Sequence, residues 1–161
     1  MDLKRLVRHL FFSRRKLPKK ALAAIEQAIA RGEATHRGEI RFAAEDALEG
    51  AALFAGQSAR ARAIEVFSQL GVWDTEENNG VLIYLLLADH DIEIVADRGI
   101  NTRVGREDWE KICRDMEQAL SRGAYEQAIV RGIEEVSALL ARHYPPRPGD
   151  RNELPDKAVT L

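Results

Sequence analysis

Residues 61–99 read ARAIEVFSQLGVWDTEENNGVLIYLLLADHDIEIVADRG, and this stretch decides the fold. Ser58 just upstream has the chemistry of an N-cap, and Ile64, Phe67 and Leu70 then fall on one stripe of a helix. Gly71 stands where a helix closes through a left-handed residue. Val81 to Leu87 is apolar at every position, the pattern of a strand covered on both faces. Ala88 to Asp91 is a short polar turn, and Ile92 to Asp97 alternates, so the two strands predict a β-hairpin.

Working outward, Pro18 opens a helix whose apolar face is Leu22, Ile25 and Ile29 and which stops near Gly32. Glu39 to Glu45 alternates Ile40 and Phe42 with Glu39 and Arg41, a first strand with one face expected in water. Trp109, Ile112, Cys113, Met116 and Leu120 mark a helix ended by Gly123. Ala128, Ile129, Ile133, Val136 and Leu140 mark the last helix, where Gly132 allows close packing at some cost in helix stability. From Pro145 onward the chain is Pro-rich and without periodicity, so residues 145–161 are expected to be a disordered tail. The first crossover predicts parallel strands one and two, and the hairpin adds an antiparallel third. The fold class is therefore α/β, a mixed sheet with helices on both faces, formed by one domain over residues 17–144.

Composition narrows the function classes. At 161 residues, 45% hydrophobic and 31% charged, the chain is long enough for one real core. One cysteine, Cys113, excludes an internal disulfide framework and fits a reducing compartment. No apolar run approaches the ~20 residues that span a bilayer. Arg8 and His9 interrupt any secretory signal, so a cytoplasmic protein is expected. Residues 1–20 hold eight lysines and arginines against Asp2, a balance of +7, which leaves −9 on the rest of a chain of net charge −2. An acidic body argues against general nucleic-acid binding.

The basic head is itself amphipathic. Leu3, Leu6, Val7 and Leu10 recur at helical spacing, Phe11 and Phe12 extend the apolar side, and Lys4, Arg5 and Arg8 take the other face. Residues 1–16 thus suit a helix lying peripherally on anionic lipid, or meeting a membrane protein, through Lys4, Arg5, Arg8, Phe11 and Phe12. The competing readings are a short helix docked on its own domain with its basic face solvated, or a homodimer contact.

Three other groupings carry candidate chemistry. Asp74, Glu76, Glu77, Asn78 and Asn79 crowd the loop entering the apolar strand, and calcium or magnesium wants several oxygens at once. The spacing is not that of an EF-hand, since Gly80 falls one position late and Leu85 stands where the bidentate acid belongs. A plain turn, with Asp74 or Thr75 capping backbone N–H groups, explains the same residues. Asp97 and Arg98 end the hairpin at the same end of the sheet as Asn79, so Asp74, Glu76, Asn78 and Asp97 can form one metal site. Arg98 would then meet a phosphate, or simply pair with Asp97. Glu33, His36 and Glu39 form a second polar cluster, suited to metal or acid–base work or to a capped turn in which His36 covers the sheet end. Cys113 shares an apolar face with Trp109 and Met116 and reads as a packed thiol. The phosphate-binding, dinucleotide, nucleophile-elbow and paired-cysteine motifs are not in the sequence.

Phe67 to Gly71, Asp74 to Gly80, Val81 to Leu87 and Asp97-Arg98-Gly99, followed by Gly123, Tyr125, Ala128, Ile129, Gly132 and Ile133, resemble the TPM domain family over roughly residues 33–142. That family is named for a thylakoid photosystem repair protein, its relatives and a nematode membrane modulator. The resemblance implies a Rossmann-like three-layer sandwich. It also implies that the chain is a binding or regulatory module near the bacterial inner membrane, one that holds a divalent cation, since some members bind such ions. Some members are acid phosphatases, and in that alternative Asp74, Asn78 and Asp97 would ligate the ion, a bound water would attack phosphorus, and Arg98 would stabilise charge. The sequence departs from the family at Asp97 to Asn101, which replaces a glycine- and tyrosine-rich stretch, and it lacks the early paired aspartates. The signal peptide and membrane helix usual in the family are not expected in this chain.

Overall fold

The computed structural model describes residues 3–12 and 16–161, with Phe12 described through its backbone alone. In chain order the elements are α1 (Leu3–Phe12), α2 (Lys19–Glu33), β1 (Glu39–Glu45), α3 (Gly50–Phe54), α4 (Ala59–Gln69), β2 (Gly80–Leu86), β3 (Asp91–Ala96), α5 (Arg98–Asn101), α6 (Arg106–Leu120), α7 (Tyr125–His143) and β4 (Val159–Thr160). The sheet runs β3-β2-β1-β4. β1 and β2 are parallel from Glu39↔Gly80 to Glu45↔Leu86, and β2 and β3 are antiparallel from Val81↔Ala96 to Leu86↔Asp91. This is the expected α/β sandwich with a mixed sheet.

β2 explains the layering. All seven of its residues are buried, so both faces of the sheet must be covered. Ile83 and Leu85 face a core built from Ile25 and Ile29 of α2, Ile112 and Met116 of α6, and Ile129 and Ile133 of α7. Leu82, Tyr84 and Leu86 face a smaller core with Leu53 of α3 and Ala63 and Val66 of α4. Local signals agree with this packing. The Ser58 hydroxyl accepts the Ala61 N–H at 3.1 Å, and Gly71 closes α4 with φ +64°. Gly132 lets α7 approach α6 so closely that a Cβ there would strike Met116.

Two expectations need correction. β1 was expected to have one face in water, yet all seven residues are buried. The residues expected to be wet are covered by parts of the chain distant in sequence. Arg62 of α4 and the Tyr84 hydroxyl (2.6 Å) bind Glu45, and the C-terminal segment lies over Glu39 and Arg41.

That segment, expected to be disordered, ends in β4, which pairs parallel to β1 at Ala43↔Val159 and Ala44↔Thr160. Its route is fixed by side chains that bond to its backbone. The Glu39 carboxylate accepts the N–H groups of Glu153 (3.0 Å) and Leu154 (3.1 Å). Arg41 donates to the carbonyls of Pro155 and Lys157, and Glu26 accepts the Ala158 N–H at 3.1 Å. Such contacts leave no periodic trace in the segment's own sequence.

Gly99 marks a close backbone crossing near the hairpin's end. A Cβ there would meet the Asn78 and Glu77 carbonyl oxygens at 2.5 Å each. Backbone cannot yield as a flexible side chain can, so Gly99→Ala should cost about 2–3 kcal/mol in urea denaturation. A loss below about 0.5 kcal/mol would show that the two loops part without penalty.

Candidate functional site

The N-terminal ends of β1 and β2 and the C-terminal end of β3 meet at one end of the sheet, where the Asp97 N–H donates to the Gly80 carbonyl at 2.9 Å. Asn78 takes φ +52°, a conformation that asparagine tolerates, and its carbonyl accepts the Ile100 N–H at 3.2 Å. The segments around residues 74–80 and 97–101 are therefore in direct contact. Asn79 is 1% exposed. Its Nδ2 donates to the Arg37 carbonyl at 2.8 Å, and its own N–H donates to the Thr75 hydroxyl at 3.1 Å, the turn cap anticipated for Thr75. Asp97 caps α5 by accepting the Arg98 N–H on Oδ1 at 2.7 Å. The Oδ1 of Asn79 and the Oδ2 of Asp97 are buried without a hydrogen-bond partner, and such atoms are costly unless something meets them.

The other candidates in this loop are placed differently. Asp74 and Glu76 are exposed, and the Glu76 N–H donates to the Glu153 carboxylate at 2.9 Å. Glu77 is held by Arg37 and, at 3.1 Å, by Arg147. The Arg98 side chain is exposed. Arg37 and Arg103 flank the Tyr144 ring, their guanidinium carbons 5.8 and 4.6 Å from its centroid. Among the described residues no three His, Cys, Asp or Glu side chains gather closely enough to hold a metal ion. A cation at this end would thus meet one carboxylate oxygen, from Asp97, beside one neutral amide oxygen, from Asn79.

Glu33, His36 and Glu39 lie together where α2 meets β1, lining a 370 Å³ cavity with Arg147, Asn152 and Asp156 of the C-terminal segment. Glu33 accepts the Ile40 N–H at 2.9 Å, so its carboxyl takes the place of a neighbouring strand at that point on β1. Burial pushes its pKa up to about 9, and Glu39 and Asp156 reinforce the shift. Glu39 rises to about 7, where burial outweighs its two backbone donors. His36 accepts the Gly38 N–H on Nδ1 at 3.2 Å, and burial lowers its pKa to about 4. The grouping was legible in sequence, but the contribution of Asn152 and Asp156 was not. Cys113 is half-buried with its thiol pushed up to about 12 by burial, which suits the packed role expected of it.

α1 is oriented the other way round from expectation. Asp89, in the hairpin turn, accepts from Arg5 and Arg8 at 2.8 Å each and lies 3.1 Å from His9 Nε2. The His9 Nδ1 accepts the Leu48 N–H at 3.0 Å, which leaves the Nε2 proton for Asp89. Arg5 also donates to the Gln57 carbonyl at 3.0 Å. Arg5, Arg8 and His9 thus turn to the domain. Leu3, Val7, Leu10 and Phe11 face solvent, at 67%, 45%, 65% and 83% exposure, and Lys4 is exposed beside them. The lipid contact expected of Phe12 lies outside the described residues. Asp89 was not singled out in the sequence because one acid in a turn carries no periodic signal.

The layers and the mixed sheet define a small α/β sandwich with a polar loop cluster at one sheet end. The TPM domain family model matches residues 15–139, and the chain belongs to that family. The match starts earlier than the sequence resemblance suggested, taking in α2, and leaves out α1 and the C-terminal segment. The NMR structure of the BA42 protein from the psychrophilic bacterium Bizionia argentinensis is similar at 30% identity and TM-score 0.81, over 92% of this chain and 97% of that one. The N-terminal domain of the cg2496 protein from Corynebacterium glutamicum is similar at 14% identity and TM-score 0.57, over 78% and 74% of the two chains, a likeness of fold alone. No curated protein matches.

The polar cavity makes stability depend on pH. Folded Glu33 keeps its proton to about pH 9, whereas the unfolded group releases it near 4.5. Between those values the folded state binds more protons, so stability falls as pH rises. Glu39 acts in the same sense up to about pH 7, and His36 acts oppositely between about 4 and 6.5. Above pH 7 Glu33 is the member of this trio still titrating. Urea midpoints measured from pH 7 to 9 should fall for the native chain and stay much flatter for Glu33→Gln. Equal slopes would remove Glu33 as the cause.

Proposed function

We propose that this TPM domain is a binding module working at an anionic membrane surface, with α1 as the element that meets lipid. The observation behind the reading is the orientation of α1: Arg5, Arg8 and His9 are tied to Asp89, while Leu3, Val7, Leu10 and Phe11 point away from the domain. Burying a side chain such as Leu10 or Phe11 in an apolar medium is worth about 1.5–3 kcal/mol each. Apolar anchoring alone is reversible, and a second attraction is needed for firm attachment. Lys16, Lys19 and Lys20 are exposed next along the chain, and each basic group near an anionic surface adds about 1 kcal/mol. Among the described residues no helix is long and apolar enough to cross a membrane, so this attachment would be peripheral. Sedimentation with vesicles of phosphatidylcholine and phosphatidylglycerol should carry the chain down, and pure phosphatidylcholine should carry much less. Leu10→Glu and Phe11→Glu should each abolish binding while leaving the fold intact. A chain that ignores both vesicles, or that doubles its mass in light scattering through the same two residues, would make α1 a self-association element instead.

A second reading rests on the unpartnered Asp97 Oδ2 and Asn79 Oδ1: the sheet-end loops hold a calcium or magnesium ion. With one carboxylate facing it, the ion would be held weakly, which favours a regulatory role over a phosphatase. Titration of either metal, followed by amide NMR shifts, should give saturable changes at residues 74–80 and 97–101. Asp97→Asn, which keeps the α5 cap, should lose them. Featureless spectra up to millimolar metal would sink this reading and leave the membrane reading untouched.

A further inference from the structure

β3 is an outer strand of the sheet, and among the described residues one of its edges has no neighbouring strand. The Asp97 N–H points to Gly80 of β2, so by alternation the backbone groups of Val95, Glu93 and Asp91 also face β2. Those of Ile92, Ile94 and Ala96 face outward. An open edge of this kind is a template for another chain.

The outward groups are met by side chains rather than by a strand. The Ile94 carbonyl accepts from Arg60 Nη1 of α4 at 2.6 Å. The Ile94 N–H lies near the Cys113 sulfur and the Ile92 N–H near the Glu117 carboxylate, both on α6. Along this edge runs a cleft of 650 Å³ lined by β3, Arg60 and α6. Trp109, 7% exposed, lines it, and its indole N–H is buried with no acceptor. A buried tryptophan ordinarily finds a partner for that group.

The charges at the edge are equally unfinished. Arg60 reaches Glu93 at 3.3 Å, but Asp91 and Glu117 gain no such ion pair among the described residues. Burial raises the pKa of Asp91, Glu93 and Glu117 alike, and a nearby carboxylate adds to it in each case: Asp89 at Asp91, Asp91 at Glu93, and Asp91 with Glu93 at Glu117. A cation arriving between them would offset the repulsion.

We propose that the β3 edge is a strand-addition site for an extended segment of a partner protein carrying lysine or arginine at alternate positions. The incoming backbone would take over the outward groups of Ile92 and Ile94 from Glu117, Cys113 and Arg60, and a carbonyl of the segment would accept the Trp109 indole N–H. Its basic side chains would lie beside Asp91, Glu93 and Glu117. A second copy of this chain is the poorer occupant, because edge-to-edge pairing would set two such acidic rows against each other. The inference is independent of the membrane and cation readings.

The test is an amide NMR titration of the full chain with a short peptide alternating valine and lysine, and with its valine–glutamate counterpart. The lysine peptide should give saturable shifts at Ile92, Ile94, Ala96 and the Trp109 indole N–H, and the glutamate peptide should not. Glu117→Lys should abolish the response. Arg60→Ala frees the Ile94 carbonyl and should tighten binding roughly fivefold, the net worth of about one hydrogen bond. Unchanged or weaker binding in Arg60→Ala would overturn the proposal, as would equal responses to both peptides or silence to millimolar peptide. Broadening of the same amides with protein concentration alone would also overturn it, by placing a second copy at the edge.

Discussion

A strand with no charged side chain on either face has to be roofed twice, and β2 makes that demand of the rest of the chain. The division of helices follows from it. α2, α6 and α7 supply the broad roof over Ile83 and Leu85, and α3 and α4 the narrow one over Leu82, Tyr84 and Leu86. The narrow roof does not reach the start of β1, and there Glu39 and Arg41 hold the C-terminal segment in place. The polar cavity beside Glu33 and His36 is a by-product of closing the core with a polar segment rather than with another helix. Burying carboxyls there is unfavourable unless they keep a proton or find donors, and Glu33 and Glu39 do both in different measure.

What was legible in the sequence is what leaves a periodic or punctuating mark. The unbroken apolar run of β2, the Ser58 cap, the Gly71 stop and the meeting of Asn79 with Asp97 at one sheet end all follow from local rules. Other features were not legible. The alternation of β1 reads as half wet because a side chain bonded to a distant backbone looks, in sequence, like one bonded to water. The C-terminal segment reads as loose because prolines such as Pro145, Pro146, Pro148 and Pro155 lack the N–H that a regular strand would use. β1 compensates by reading the segment's remaining backbone groups with Glu39 and Arg41.

The helix at the N-terminal end shows the same limit in sharper form. A helical wheel separates the two faces of α1 and leaves open which of them turns inward. Apolar faces ordinarily do. Here an acid in the hairpin turn draws two arginines and a histidine inward, and among the described apolar side chains of α1 Leu6 alone packs against the core. The same lesson applies to the sheet-end loop, where composition suggested a pool of carboxylates. In the fold Asp74 and Glu76 go to solvent and Glu77 goes to arginines, so the oxygens left facing inward belong to Asp97 and Asn79.

The position of Asp89 has a geometric result. It sits at the tip of the hairpin whose second arm is β3, so the helix it grips and the strand it leads into share one corner of the fold. The outward plane of Leu3, Val7, Leu10 and Phe11 therefore stands at a set angle to the open rim of the sheet. A surface under α1 would meet the β3 rim at the tilt and height that this ion-paired corner sets. One carboxylate thus acts as a surveyor's datum for the whole molecule.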